Sequence, residues 1–328
     1  MTAWIFPGQG SQKRGMASAI EACSELFEEA RRTLQVNLEP LCTTDSDPTW
    51  APDTLQPALY ATEVGLVRKL DDEGAQPSVV AGHSLGEFPA LVAAGALNAA
   101  DGLKLVAARG KAMAAAGRRN PGGMAAVIGL DPDTISEICR EIDGVWISNL
   151  NSPKQTVISG EDRSLVQAAE ACRKAGAAKV IRLQVPLAAH CPLMQPAAYE
   201  FAEALEQVSL HAPRVPVYCG ADGRAHDNPS EIGRLLTKAI TAPVLFTDTI
   251  RAITSDGEES FVEVGPGKVL RGLARQIKSG LTLTGVADDA AAAEFAQSEA
   301  SASGGNPTNK QSRRTTIHTT EPAMGVSR

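Results

Sequence analysis

The sequence lacks several features that mark whole classes of proteins. None of its six cysteines forms a C-x-x-C pair, which argues against a zinc knuckle or a thioredoxin-type site. No stretch approaches the roughly 20 apolar residues of a membrane span. The net charge of -7 gives no broad basic footprint for nucleic acid. We therefore expect no metal, no membrane span and no nucleic-acid partner.

The first residues, MTAWIFPGQGSQ, contain no basic segment followed by a long apolar run, so we expect no signal peptide. Scattered cysteines are typical of free thiols in a reducing compartment, and we predict a cytoplasmic protein. What is present is ordinary: 328 residues, of which 43% are hydrophobic and 21% charged. Such a chain can form one large globular domain, with or without a smaller insert.

Short apolar runs that end at glycine-rich turns and precede helical patterns predict an α/β fold with a parallel sheet. The pattern of predicted elements changes over residues 123–189, which follow the β-α-β-β-α-β order of a ferredoxin-like unit. We predict a large α/β-hydrolase-like catalytic domain from residues 1–122 and 190–288, with residues 123–189 inserted as a small ferredoxin-like subdomain. Residues 296–328 are rich in Ala, Ser, Gly and Thr, and their composition predicts a disordered tail.

The segment Gly82-His83-Ser84-Leu85-Gly86 fits the G-x-S-x-G pattern of a nucleophile elbow. It follows an apolar strand and precedes a helix, which is the context that this pattern needs. The flanking glycines permit a tight turn that raises the serine oxygen into a pocket, where the amides of the next helix favour a developing oxyanion. The alternative is an ordinary tight turn in a glycine-rich chain.

A serine needs a base before it becomes a good nucleophile, and the chain has five histidines. His83 adjoins the serine, and we expect its side chain to point away from the elbow. His190 lies at the end of a predicted strand and the start of a helix, where active-site loops of α/β proteins gather. It is therefore the candidate base, and the alternative is a core histidine satisfied by backbone hydrogen bonds.

Several segments along the chain can be taken together: FPGQGSQ (6–12), GHSLGE (82–87), RG (109–110), NLNSP (149–153), VISG (157–160), His190 and EVGPG (263–267). Together they resemble the malonyl-CoA:acyl-carrier-protein transacylase family. The resemblance covers about residues 1–285, with the segments in the order of the family. The family includes fatty-acid enzymes, acyltransferases of polyketide synthases and a malonate decarboxylase subunit.

The resemblance implies that Ser84 carries the acyl group and that His190 is the general base and acid. It places the oxyanion hole at the backbone N–H groups of Gln9 and Leu85. A backbone carbonyl orients the histidine in this family, so no third carboxylate is needed. Coenzyme A thioester and the phosphopantetheine arm of the carrier are substrates, and no cofactor is expected.

Arg109 is implied to hold the free carboxylate of the malonyl group, because a bidentate guanidinium matches a carboxylate in charge and shape. Without the resemblance, an exposed helix arginine would be the simpler interpretation. Gln56 is expected near Arg109. Asn151 is implied to approach the substrate from the small subdomain, although Asn-Ser-Pro also suits a hairpin turn.

Two of the departures from the family pattern concern the candidate site. Ala239 stands where the family often has Gln, and this is acceptable if only the backbone carbonyl is needed to hold His190. Ala189 precedes the base and is small, where malonyl-selective polyketide domains tend to have Phe. It leaves room beside the α-carbon of the acyl group, so substituted malonyl groups become candidate substrates.

The resemblance implies an acyl carrier protein as the partner of a monomeric enzyme. Such a partner is acidic and needs a basic rim near the entrance. Alternatives are an acyl hydrolase of the same fold, the malonate decarboxylase subunit, and a non-catalytic subunit that only docks carrier proteins. The pathway, fatty-acid or polyketide, is left open. The candidate docking residues are Lys179, Arg182, Arg271, Arg275 and Lys278.

Overall fold

The computed structural model describes residues 2–44 and 51–303. Its first sheet has six strands in the order β10-β9-β1-β2-β7-β8. All neighbouring pairs are parallel except β7 with β8. The predicted α/β class with a parallel sheet is thus confirmed. The strands are β1 (Ala3–Phe6), β2 (Val80–Gly82), β7 (Val217–Cys219), β8 (Arg224–His226), β9 (Ser260–Val264) and β10 (Thr282–Val286).

A second, antiparallel sheet has the strand order β4-β5-β3-β6. With its two helices it follows the chain order β-α-β-β-α-β that the sequence predicts. Backbone hydrogen bonds from Leu150 N to Val244 O and from Val244 N to Ser148 O, each 2.9 Å, join its β4 edge to the rest of the molecule. The elements are β3 (Gly122–Ile128), α6 (Pro132–Glu141), β4 (Val145–Ser152), β5 (Gln155–Glu161), α7 (Asp162–Lys174) and β6 (Lys179–Arg182).

The remaining helices pack around the first sheet and against one another. Two of them, α3 and α5, are 21 residues long and pack against each other. Asn98 caps α5 by accepting a hydrogen bond from Asp101 N at 2.8 Å. The helices are α1 (Cys23–Leu34), α2 (Glu39–Thr43), α3 (Pro52–Asp72), α4 (Glu87–Ala93), α5 (Ala99–Arg119), α8 (Gln195–Leu205), α9 (Pro229–Ala239), α10 (Phe246–Ser255), α11 (Val269–Ile277) and α12 (Asp289–Ser303).

Helix α12 corrects the prediction of a disordered tail from residue 296. Residues 289–303 are helical, and Ala292, Phe295 and Ala296 are buried in the main core. Alanine is the best helix former, and its small side chain lets α12 pack closely against α3. A low content of large apolar residues in residues 296–303 therefore does not mean disorder. Residues 304–328 lie outside the described residues.

Three further findings concern the cysteines, the lengths of the helices and the clustering of possible metal ligands. All six cysteines are free thiols. None of the helices within residues 2–44 and 51–303 is long and apolar enough to cross a membrane. In the same ranges, His, Cys, Asp and Glu side chains nowhere form a group of three that could hold a metal ion.

Candidate active site

Ser84 lies on a sharp turn between β2 and α4. Its φ of 57° is in the left-handed region, which non-glycine residues rarely occupy. A Cβ on Gly82 would lie 2.0 Å from Glu87 N, and one on Gly86 would lie 2.1 Å from Phe6 O. Both positions therefore require glycine for close packing. The structure confirms the strand–turn–helix geometry that the G-x-S-x-G pattern needs.

His190 lies within hydrogen-bond distance of Ser84. Its Nε2 lies 2.8 Å from Ser84 Oγ, and its Nδ1 lies 2.6 Å from the backbone oxygen of Ala239. Because a carbonyl oxygen can only accept, Nδ1 carries the proton and Nε2 is free to accept the serine proton. The last residue of α9 thus orients the imidazole without a carboxylate, as the resemblance implies.

The pKa of His190 is lowered to about 3, first by burial and second by the positive charge of Arg109, while the hydrogen bond to the Ala239 oxygen opposes the shift. His190 is 4% exposed and is neutral at physiological pH, as a general base must be. A base of such low pKa is weak. The site therefore holds its base in the correct protonation state but in an environment that opposes proton transfer.

Arg109, on α5, contacts Ser84 from a buried position and is 2% exposed. Its Nη1 donates to Gln56 Oε1 and its Nη2 donates to Ser84 Oγ, both at 2.9 Å. Among residues 2–44 and 51–303, no acidic side chain lies within ion-pair distance of it. Burial lowers its pKa to about 10, and Glu87 opposes this shift. A buried guanidinium with neutral acceptors alone is poised to accept an anion.

A cavity of about 220 Å³ opens above Ser84 and His190. Gln9, Asn151 and Ala189 line it, as expected for substrate contacts. Gln56 is fully buried behind the cavity, where it accepts from Arg109 and donates to Gln9 Oε1 at 3.2 Å. Most of the remaining wall is apolar and comes from Met113, Met124, Val157, Leu183, Val185, Leu187, Val269, Leu270 and Leu273.

Gln9 and Leu85 lie at the same edge of the first sheet. Gln9 follows β1, Leu85 follows the nucleophile, and β1 pairs in parallel with β2 through Phe6 and Gly82. The backbone N–H of His83 donates to Phe6 O at 2.9 Å, so the two turns are tied together. This placement is compatible with an oxyanion hole, and the role of the two N–H groups stays a prediction.

Comparisons with known proteins agree on one family. The model of the acyl transferase domain family matches residues 3–324. Malonyl CoA-acyl carrier protein transacylase of Escherichia coli is 39% identical over 303 residues, which cover 89% of this chain and 97% of that protein. The Bacillus subtilis protein of the same name is 35% identical and covers 87% of this chain and 93% of its own length.

Comparison with solved structures indicates the same family. One holds a malonyl-transacylase in complex with the acyl-carrier protein of a type II polyketide synthase. It matches with a TM-score of 0.87 and 35% identity, covering 90% of this chain and 99% of that chain. The Coxiella burnetii malonyl CoA-acyl carrier protein transacylase matches with a TM-score of 0.86 and 34% identity, covering 90% and 96%. The chain belongs to the acyl transferase family.

One expectation about this acyl transferase is wrong. His83 does not point away from the elbow but lines the cavity. Its Nε2 lies 2.9 Å from Asn151 Oδ1, and its ring stands edge-on to Phe246. Burial lowers its pKa, so the ring is neutral and its Nε2–H donates to the amide oxygen. His83 therefore links the nucleophile turn to the antiparallel sheet across the cavity.

The candidate docking residues fall into two groups. Lys179 and Arg182 lie on the exposed edge strand β6, whereas Arg271 and Arg275 lie on α11, which also lines the cavity. Three of the five candidates pair with acids of the chain itself: Arg182 with Asp162, Arg271 with Glu263 at 3.2 Å, and Lys278 with Glu259 at 3.5 Å. The Glu263 side chain is fully buried, so Arg271 has a structural role whether or not it docks a partner.

Proposed function

We propose that the chain transfers a malonyl group, or a substituted malonyl group, from coenzyme A to the phosphopantetheine thiol of an acyl carrier protein through an ester on Ser84. One observation carries the choice of acyl group. The guanidinium of Arg109 is buried against the nucleophile and has only neutral acceptors. The names of the relatives support the same reaction.

The chemistry follows a ping-pong course. Ser84 Oγ attacks the thioester carbonyl while His190 Nε2 takes its proton. The tetrahedral oxyanion is stabilised by the N–H groups of Gln9 and Leu85, each contributing about 3 kcal/mol to lowering the barrier. The C–S bond then breaks, and His190 returns the proton to the thiolate of coenzyme A. The thiol of the carrier then attacks the Ser84 ester while His190 takes its proton. The ester bond breaks, and His190 returns the proton to Ser84 Oγ.

Arg109 has two roles in this proposal. Its Nη2 donates to Ser84 Oγ and stabilises the negative charge that develops as the proton leaves. The guanidinium also receives the malonyl carboxylate. That carboxylate offsets the charge that lowers the pKa of His190, so the substrate itself makes the base more effective. An acyl group without a carboxylate gives no such assistance.

The partner and the setting of the enzyme are parts of the same proposal. A relative solved with its acyl-carrier protein supports the carrier. A monomer in the cytoplasm that needs no cofactor stays a prediction. The antiparallel strand order β4-β5-β3-β6 supports a ferredoxin-like subdomain, and the nucleophile elbow supports the description of the large domain as α/β-hydrolase-like. The boundaries of the large domain at residues 122 and 190 are also predictions.

The experiment is intact-protein mass spectrometry after incubation with malonyl-, methylmalonyl-, acetyl- and butyryl-CoA. We expect a malonyl adduct on the wild-type protein, none on Ser84→Ala, and loss of the adduct when carrier protein is added. An adduct that disappears faster with water than with carrier protein would instead indicate the hydrolase. Absence of any adduct would leave only the docking subunit.

A further inference from the structure

The base His190 lies on a strained stretch of backbone. Its φ of 60° is in the left-handed region, which is costly for a residue with a side chain. Such a conformation persists only where the surrounding contacts hold it in place. The contact between His190 Nδ1 and the Ala239 oxygen holds the imidazole ring. The backbone that leads into the base needs restraints of its own.

Two side chains hold the backbone that leads into His190. The hydroxyl group of Ser159 donates a hydrogen bond to the backbone oxygen of Ala189 at 2.8 Å. The thiol of Cys191 donates to the backbone oxygen of Ala188 at 3.2 Å, and a thiol is the weaker donor. The Ala189 oxygen belongs to the planar peptide group that joins Ala189 to His190, and φ is the rotation between this group and the rest of the base residue. The Ser159 bond therefore restrains the strained angle directly.

Ser159 is a polar residue on a face of β5 that otherwise packs against the core. Met124, which is opposite Ser159 on β3, and Val157, two residues before it, both line the cavity. Since side chains two residues apart in a strand share a face, Ser159 belongs to this face of the sheet. A buried hydroxyl group costs free energy unless it is hydrogen-bonded, and the Ala189 oxygen is its partner. The VISG segment (157–160) thus places a hydroxyl group behind the base.

We infer that Ser159 is a positioning residue for His190: its hydrogen bond to the Ala189 oxygen fixes the peptide group that precedes the base and thereby orients the imidazole toward the nucleophile. The inference rests on the proposed role of Ser84 and His190 in acyl transfer. It makes the position of the base depend on the antiparallel sheet, which carries Ser159, as well as on α9, which carries Ala239. Because Ser159 is fully buried, it acts through the backbone and does not touch the substrate.

Loss of this hydrogen bond is expected to slow the chemical step. Without the Ser159 hydroxyl, the Ala189 oxygen is left without its donor in the interior, and the strained φ of the base loses a restraint. His190 then spends part of its time out of line with Ser84 Oγ, and a displacement of about 1 Å can lower a rate about a hundredfold. A hydrogen bond of ordinary strength shifts such a population by about tenfold. Ser159→Ala should therefore lower kcat about tenfold and leave KM for malonyl-CoA nearly unchanged.

The experiment compares the wild type with Ser159→Ala, Ser159→Cys and Thr156→Val. Thr156 is the matched control, because it is a fully buried residue of the same strand whose Oγ1 has no hydrogen-bond partner among the described residues. Turnover with malonyl-CoA and carrier protein gives kcat and KM. Labelling of Ser84 by a fluorophosphonate needs the base but no acyl carboxylate. Labelling should fall about tenfold in Ser159→Ala, less in Ser159→Cys because a thiol is a weaker donor, and not at all in Thr156→Val.

A proton NMR signal separates positioning of the base from a loss of stability. The Nδ1–H group of His190 donates to the Ala239 oxygen at 2.6 Å, and so short a hydrogen bond moves the proton resonance far downfield. Disappearance of the resonance in His190→Gln assigns it. We expect the resonance to shift or broaden in Ser159→Ala and to stay in place in Thr156→Val.

A wild-type labelling rate or an unshifted resonance in Ser159→Ala would overturn the inference. An equal loss in Thr156→Val would also overturn it, since loss of any buried hydroxyl group from β5 would then have the same effect. If Ser159→Ala does not fold, Ser159→Cys decides, and wild-type labelling in that variant would overturn the inference. Failure of the proposed function is distinguishable: a wild type that reacts with the fluorophosphonate but gives no malonyl adduct contradicts the acyl group and leaves the labelling comparison intact.

Discussion

Replacing Arg109 by alanine tests the dicarboxylate proposal most directly. Because Arg109 is 2% exposed, the malonyl carboxylate that pairs with it leaves water, and no other cation of the described residues is in hydrogen-bond contact with Ser84 Oγ. Removing one partner of a buried ion pair costs about 3–5 kcal/mol. Malonyl loading should therefore fall by about two to four orders of magnitude.

The structure also predicts how the other acyl groups respond. Arg109→Ala removes a donor to Ser84 Oγ, which slows every acyl group. It also removes a charge that lowers the pKa of His190, which makes the base stronger for acyl groups that have no carboxylate to offset that charge. For acetyl groups these two effects oppose each other. The malonyl-to-acetyl ratio isolates the carboxylate contact, and it should fall by about two orders of magnitude or more.

The assay is loading of Ser84 in the wild type, Arg109→Ala and Arg109→Lys with malonyl-, methylmalonyl- and acetyl-CoA. Lysine should rescue only part of the malonyl rate, because an ammonium lacks the planar two-pronged donor. Arg118→Ala is the matched control, since Arg118 is an exposed arginine on the same helix. Thermal melting checks that Gln56 tolerates the loss of its partner. An equal fall for all three acyl groups would refute the assignment and leave Arg109 as a support for the nucleophile.

Three further predictions test the nucleophile, the pocket and the C-terminal helix. Ser84→Ala should keep the melting temperature and lose all covalent loading by intact mass; a full adduct would contradict the elbow assignment. Ala189→Phe should slow methylmalonyl loading about ten- to a hundredfold more than malonyl loading, because overpacking beside the α-carbon costs about 1–3 kcal/mol; equal slowing would mean that Ala189 does not face the α-substituent. Phe295 is 6% exposed in the core, so Phe295→Ala should lower the free energy of unfolding, measured by urea titration, by about 3 kcal/mol. Truncation after residue 303 should leave that free energy unchanged. The opposite pattern would contradict the packing of α12.

The nucleophile elbow and the pair of Ser84 and His190 could be predicted because the sequence patterns that mark them are local. A strand, two glycines around Ser84 and a following helix define the turn within a few residues. His190 was reached from the sequence by its position at a strand end. Its φ of 60° is a second sign of function, but backbone strain of this kind cannot be read from residue types. The use of the Ala239 carbonyl came from the resemblance, and the 2.6 Å contact agrees with it.

Other features were missed because they depend on tertiary contacts. The orientation of His83 is set by Asn151 and Phe246, which are distant in sequence. Strand β10 was not predicted, because its five residues include Gly285 and alternate weakly; it pairs in parallel with β9 at the sheet edge. Helix α12 has few large apolar residues, and only its packing on α3 shows that its alanines belong to the core.

Selectivity in this site is expected to appear in the chemical step as well as in binding. Arg109 keeps a positive charge close to the base, and this charge, after burial, lowers the pKa of His190. In the proposed mechanism a malonyl carboxylate on Arg109 offsets this second cause when Ser84 gives up its proton. An acetyl group would leave both causes in place even when the thioester is correctly placed. Interactions that act only when the correct substrate is bound raise the rate constant of the step itself, so malonyl and acetyl groups should differ in kcat as well as in KM.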